Sequence, residues 1–320
     1  MRLEYMVAAA LVMDVFLGDP RWFPHPVRFI GWFAGVAEEK CRSIFRDPGR
    51  AGAAVVFSVL LATVLCGAAV IHGAGWLSPL AGNVCSVILL YFCLAGKDLA
   101  AHSRAVYQAL DADDLDAARG RVGMIVGRDT SVLGCRGVIR ACVESVAENT
   151  VDGITAPLFW AVMIGPLGAL VYKSINTMDS MFGYRDERYA DFGRIAARLD
   201  DAANFLPARL TGLFMVAAAC LLGLRCADSW RVFRRDRLNH ASPNAGHAEA
   251  AVAGALGIRL GGDGVYYGRL VRKPDLGIDV LKPEPGLILK ANSLMTATTV
   301  LFVIVLFAAR VGVSLLFFKT

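Results

Sequence analysis

Glu144, Glu148 and Asp152 recur at i, i+4 and i+8, with Ser145 and Asn149 beside them. On a helix that spacing aligns three carboxylates on one face. Such a face could hold a hard cation such as Mg²⁺, which is usually bound through one or two carboxylates plus substrate phosphates. The same spacing suits the wetted side of an amphipathic helix, with Arg140–Glu144 as an ordinary i, i+4 pair. Asn149-Thr150 and the apolar stretch that starts at once favour chemistry. A second group is Lys173, Asn176, Asp179, Ser180 and Arg185, set directly beside hydrocarbon-like sequence. Snorkelling explains its two cations, but not Asn176, Thr177, Asp179 and Ser180 together, because polar groups at membrane depth are costly. A third is Asp14, Asp19 and His25, the histidine held between two prolines. Asp200, Asp201, Asn204 and Arg209 precede another apolar stretch, and Ser242-Pro243-Asn244 reads as a helix start with Glu249 in the helix that follows.

Some chemistry is not suggested. There is no GxxxxGK[ST] loop, and Gly261-Gly262-Asp263-Gly264 lacks the strand–turn–helix setting of a dinucleotide site, so a turn is the simpler reading. No Ser/His/Asp or Cys/His arrangement stands at a recognised spacing. The eight cysteines include no CxxC or zinc pattern; four lie in apolar stretches and read as small buried residues.

The elements that must position these groups are membrane helices. Hydrophobic residues make up 56% of the chain and charged residues 19%, against about 45–50% and about 25% in soluble domains. Ala51–Gly96 holds no charged residue over about 46 positions, roughly twice the ~20 needed to cross a bilayer. The turn-rich Gly73–Asn83 folds it into a hairpin. Ala291–Ala309 is a second span and Ile154–Tyr172, interrupted by Pro157 and Pro166, a third. Tyr5–Leu17 and Thr211–Leu224 are short enough to be re-entrant, interfacial or buried. Asp14 and the Gly-Asp-Pro after it exclude a signal-peptide reading of the N-terminus. Between the spans, Lys97–Val126 reads as two amphipathic helices broken near Asp111–Asp114, and Cys135–Asp152 as a helix with Val138, Ile139, Cys142, Val143 and Val146 on its apolar face. Gly246–Gly257 reads as a helix in which Gly246, Ala250 and Gly254 repeat every four residues, so another backbone can approach there; Leu260-Gly261-Gly262 is expected as its C-cap or a turn.

The net charge of +5 lies between the spans, with seven basic residues in Lys97–Arg140 and eleven in Arg225–Lys290. By the positive-inside rule these segments are cytoplasmic and the Gly73–Asn83 tip is outside. Disulfides are then not expected, and no nucleic-acid module accompanies the charge. The fold class expected is an all-α, polytopic membrane helical bundle: one membrane-embedded catalytic domain over 1–320, with 97–152 and 225–290 as mainly cytoplasmic helices and loops. Counting sides would separate the loop before Ile154 from the loop after Tyr172. Ile154–Tyr172 or Thr211–Leu224 is therefore expected to be re-entrant or broken, with its polar ends in a cavity open to the cytoplasm.

Taken together the segments resemble the adenosylcobinamide-phosphate synthase (cobinamide synthase) family of cobalamin biosynthesis. The resemblance rests on Gly18-Asp-Pro…His25-Pro-Val, Val126-Gly-Arg-Asp129, Glu144-Ser-Val-Ala-Glu-Asn149…Asp152, Lys173…Asn176-Thr-Met-Asp-Ser-Met181…Arg185, Asp200-Asp…Asn204…Arg209 and Ser242-Pro-Asn-Ala-Gly246…Glu249. His247-Ala248 departs from the aromatic–proline pair expected there. The resemblance implies ATP-dependent ligation of the free propionate carboxylate of adenosylcobyric acid to aminopropanol phosphate or a related amino alcohol, at the bacterial inner membrane. On that reading Mg²⁺ sits on a subset of Glu144, Glu148, Asp152 and Asp179. Arg128, Lys173, Arg185 and Arg209 hold phosphate or corrin groups, and Asn149, Asn176, Ser180 and Asn204 orient carboxylate or amide groups. Asp179 takes the amine proton. Asp14, Asp19, His25, Asp200, Asp201, Asn244 and Glu249 complete the substrate contacts. A homo-oligomer or association with other cobalamin-pathway enzymes stays open. The competing class is a transport or signalling protein of the same superfamily. A transporter predicts polar residues at mid-span in two corresponding halves, and no inverted repeat is visible here.

Overall fold

The computed structural model describes residues 1–19, 25–184, 186–266 and 269–317. In chain order the elements are α1 (Leu3–Leu17), α2 (Pro26–Ile44), α3 (Pro48–Leu77), α4 (Pro79–Tyr91), α5 (Gly96–Asp111), α6 (Leu115–Val122) and α7 (Cys135–Thr150). After a π-helical turn at Val151–Thr155 come α8 (Ala156–Ile164), α9 (Pro166–Phe182), α10 (Arg194–Leu221), α11 (Cys226–Asp236) and α12 (Ala245–Leu256). Four three-residue strands follow, β1 (Arg259–Gly261), β2 (Gly264–Tyr266), β3 (Arg269–Val271) and β4 (Asp275–Gly277), and α13 (Gly286–Phe317) ends the chain. Several starts are written locally: the Asp47 carboxylate accepts the Gly49 N–H ahead of Pro48, and the Ser78 hydroxyl accepts the Ala81 N–H ahead of Pro79.

Pro48–Leu77, Pro79–Asp111, Arg194–Leu221 and Gly286–Gly312 are long and apolar enough to cross a bilayer, which makes this a multi-pass membrane protein. Ile154–Tyr172 is broken, as expected. The π turn precedes it, and Gly165 (φ +93°) followed by Pro166 divides it into α8 and α9. With nine residues, α8 is about 14 Å long, too short to cross. Thr211–Leu224 departs from expectation. It is the second half of the 28-residue α10, which also carries Asp200, Asp201 and Asn204.

Two prolines explain both outcomes. A proline lacks an N–H, so the carbonyl four residues earlier loses its helical donor. Pro207 orphans Ala203, whose carbonyl instead accepts the Trp160 indole N–H at 3.1 Å, and α10 runs on. Pro166 orphans Val162, whose carbonyl accepts Arg310 Nη1 at 2.8 Å. That arginine also pairs through Nε with Glu4 at 2.9 Å.

The chain forms two compact units. The first comprises residues 1–95, 156–204 and 306–320, the second 96–155 and 205–305. In the first, α3 packs against α2, α4 and α9, and α1 against α4 and α8. Its core includes Val55, Val59, Met178, Phe182 and Phe192. In the second, Val138, Ile139, Cys142, Val143 and Val146 of α7 are buried, the apolar face anticipated, and every residue of α12 is buried. Fully burying each such aliphatic side chain is worth about 1.5–3 kcal/mol. The small-residue repeat admits a backbone: a Cβ at Gly254 would lie 2.5 Å from the Asp228 carbonyl oxygen of α11.

Three further details correct the reading. α12 ends at Leu256, within a residue of the expected Gly257, and Gly257 in the left-handed region caps it, where the cap was expected at Leu260-Gly261-Gly262. Leu260–Gly264 is part of nested antiparallel ladders, β1 with β4 and β2 with β3, where a turn was anticipated. Cys220 and Cys226 form a disulfide where none was expected, because the α10–α11 turn brings their Cα atoms to 4.8 Å.

Candidate active site

The second unit contains a charged, partly open cavity of about 130 Å³. Its wall comes from the Ile125–Arg128 loop, from Ala141, Glu144, Ser145 and Glu148 on α7, from His240, from Glu249 on α12, from Gly261 ending β1, and from Lys273. α7 was expected to present a carboxylate face, but that face is not uniformly wet. Glu144 is 5% exposed, whereas Glu148 is exposed. The expected Arg140–Glu144 pair does not form. Arg128 reaches Glu144 Oε2, and the Gly261 N–H donates to Oε1 at 2.7 Å. Arg140 instead donates to the Gly261 carbonyl oxygen. Ser145 Oγ donates to the Ile125 carbonyl at 2.6 Å, and Asn149 Nδ2 to the Ser145 carbonyl at 2.9 Å. Glu144 and its neighbours thereby fasten the Gly127-Arg128 loop and β1 onto α7.

Glu249 is bound differently. It is 4% exposed. Its closest basic partner, His240 Nε2, is 3.8 Å from Oε1, beyond hydrogen-bond range. His240 Nδ1 accepts the Ser242 N–H at 3.0 Å, so the ring proton belongs on Nε2. Burial holds the Glu249 carboxyl well above the ordinary range, and Glu144 and Glu148 add to the effect. Burial and then Lys273 hold His240 below its ordinary value. Both shifts work against an ion pair between the two side chains. Two residues before Glu249, His247 is 2% exposed, and among the described residues neither ring nitrogen has a hydrogen-bond partner. Burial, then Arg209 and Arg237, push it down to about 4.

The first unit gathers another set of expected residues, on α9 and α10. Tyr172 Oη donates to Asn204 Oδ1 at 2.9 Å, Asn204 Nδ2 to Asp200 Oδ2 at 3.0 Å, and Asn176 Nδ2 to Asp200 Oδ1 at 3.4 Å. Asn176, Asp200 and Asn204 are buried, while Lys173 and Asp201 are half-buried. Ser180 Oγ turns to the Asn176 carbonyl at 2.9 Å and is exposed. Asp179 is half-buried in the last turn of α9, and a Cβ at Gly183 would collide with it. Asp14 is buried on α1. His25 caps α2 by accepting the Val27 N–H at 3.2 Å, with Asp19 3.8 Å from its other nitrogen.

In the second unit, Arg209 donates to Asn244 Oδ1 at 3.3 Å. The Ser242 hydroxyl accepts the Asn244 and Ala245 N–H groups, as the helix-start reading required. Asp152 is half-buried in the π turn. Arg185 lies outside the described residues. Among the described residues no three His, Cys, Asp or Glu side chains are grouped to hold a metal ion. Lys273 and His240 were missed by the sequence reading. Each is a lone residue beside a loop, with no periodicity to single it out.

Residues 7–295 match the family described as CobD/Cbib protein. The chain belongs to the CobD/Cbib family. Among its relatives, the "Cobalamin biosynthesis protein CobD" of Desulfotalea psychrophila is 46% identical over 310 residues, 92% of this chain and 94% of the relative. That of Geobacter metallireducens is 48% identical over 280 residues, 87% of each. That of Clostridium perfringens is 42% identical over 300 residues, 93% of this chain and 95% of the relative. No solved structure matches the chain. The CobD/Cbib match covers both units, the walls of the cavity and the α9–α10 polar cluster alike.

Proposed function

We propose that the chain acts in cobalamin biosynthesis as an ATP-dependent acid–amine ligase, joining the propionate carboxylate of adenosylcobyric acid to aminopropanol phosphate or a related amino alcohol phosphate. The observation that carries this reading is the charged cavity around Glu249, in a chain whose relatives bear the cobalamin-biosynthesis name. The carboxylate attacks the γ-phosphorus of ATP, giving an acyl phosphate and ADP. The amine nitrogen then attacks the acyl carbon, phosphate leaves with the C–O electron pair, and one proton is released. Little covalent work falls to the protein in such steps; positioning and charge neutralisation dominate. Arg128 and Lys273 supply positive charge at the cavity.

Mg²⁺ does not fit as a resident ion at Glu144, because both carboxylate oxygens are already engaged. Among the described residues no three His, Cys, Asp or Glu side chains are grouped around one point. The ion is proposed to travel with the nucleotide phosphates, and no step is assigned to it. By the positive-inside rule, the basic segments support a cavity facing the cytoplasm. In the decisive experiment, full-length protein in detergent is given cobyric acid, ATP, Mg²⁺ and aminopropanol phosphate, with product followed by mass spectrometry. ADP release should require both the acid and the amine. ATP consumption indifferent to either would sink the reading.

A further inference from the structure

The cavity in the second unit is too small for most of what the proposed reaction must bind. Pockets for drug-sized ligands run to about 300–1,000 Å³, and this one is about 130 Å³. It holds no more than one end of a corrinoid or a nucleotide, whereas a short amino alcohol phosphate matches its size.

The polarity of the wall narrows the choice. Its charged side chains are Glu144, Glu148 and Glu249 on the acidic side and Arg128 and Lys273 on the basic side, with a neutral His240 between. Arg140 points to the Gly261 carbonyl and is not part of the wall. Glu144 is already satisfied by Arg128 and the Gly261 N–H. Glu249 is not: among the described residues no donor comes within hydrogen-bond distance of its carboxylate, although it is 4% exposed and lines the cavity. A buried carboxylate without donors costs several kcal/mol unless a ligand supplies them or it stays protonated. Burial, with Glu144 and Glu148 nearby, pushes its carboxyl well above the ordinary range, and what would relieve that position is a partner rich in N–H groups and carrying positive charge. A primary ammonium has three such donors.

Resting on the ligase reading, we propose that this cavity is the subsite for the amine substrate. Its ammonium end docks against Glu249 and Glu148, and its phosphate end lies toward Lys273 and Arg128. Glu249 is then a binding residue for the nucleophile.

The test is calorimetric, on the full-length chain in detergent, with O-phosphoethanolamine and ethyl phosphate as probes. The two differ only in the amine. O-phosphoethanolamine should bind at least about tenfold more tightly, a margin of about 1.4 kcal/mol. Glu249→Gln should erase that margin while leaving ethyl phosphate binding in place, which also shows that the variant is folded. Lys273→Ala should weaken both probes and keep the margin. Equal affinity for the two probes, a margin that survives Glu249→Gln, or Mg²⁺ alone producing the same heat and competing with the amine would each overturn the proposal. Amide formation assayed on the same preparation separates the two ideas. Turnover without an amine margin defeats the subsite alone. A margin without turnover defeats the ligase reading and leaves an amine site.

Discussion

The molecule holds two buried polar clusters, and they are finished to different degrees. On α9 and α10, Tyr172, Asn204, Asp200 and Asn176 satisfy one another in a chain of hydrogen bonds. In the cavity beneath α7 and α12, Glu144 is satisfied but Glu249 is not. A closed network rigidifies its surroundings and asks nothing of a ligand. An acceptor left without donors at a cavity wall is a standing cost that binding can relieve. The residue types of the α9–α10 cluster look the more catalytic on paper, yet the completed geometry makes that cluster the more structural of the two.

The largest way to break this contrast is Arg128→Ala. It leaves Glu144 buried beside a single backbone donor, and the expected cost is about 3–5 kcal/mol, read as a fall in the thermal midpoint of the detergent-solubilised chain. A neutral outcome would mean that Glu144 is not pinned by that arginine. Next, Glu249→Gln should lower kcat/KM for amide formation about 100-fold, chiefly through the KM for the amine. Asp200→Asn, which keeps an acceptor for its two asparagine neighbours, should cost about threefold or less. The reverse order would exchange the roles assigned to the two clusters.

A third prediction concerns acid. His247 is held at about 4 in the folded chain, so the unfolded chain binds more protons as pH falls from about 6.5 toward 4, and folding weakens over that window. Glu249 runs the other way, since its raised value makes the folded chain the better proton acceptor. His247→Phe, which keeps a ring against Phe233, should remove the acid loss, worth on the order of 2 kcal/mol, in thermal midpoints at pH 7 and 4.5. An unchanged slope would show that His247 is already hydrated. The smallest effect is expected for Trp160→Phe, which strips the Ala203 carbonyl of its donor and should cost about 1 kcal/mol.

Helix positions were legible where one chemical rule governs them. The charge-free run, the apolar face of α7, the break at Gly165-Pro166 and the close approach at Gly254 all follow from local sequence. Reading Thr211–Leu224 as a short segment of its own failed because α10 runs on through Pro207, and the group that takes up the carbonyl this proline orphans, Trp160, is 47 residues from the proline and gives no local sign. Arg140–Glu144 failed for the same reason. Spacing allowed the pair, but Arg128 and the Gly261 backbone, far apart in sequence, took both carboxylate oxygens. Glu249 was named among the contacts, but its isolation from donors is a property of tertiary packing alone. Lys273 and His240 acquire meaning only once that packing brings them to the same wall.

The Glu4–Arg310 pair has a consequence for biosynthesis. Its partners are 306 positions apart, so a ribosome inserting this chain releases an acid at the start and its counter-ion near the end. Until α13 arrives, Glu4 has no such counter-charge and the Val162 carbonyl has no Arg310 to accept from. The first helix is therefore seated provisionally and locked by the last, and a chain cut before Arg310 should be recognised and degraded as an unfinished membrane protein.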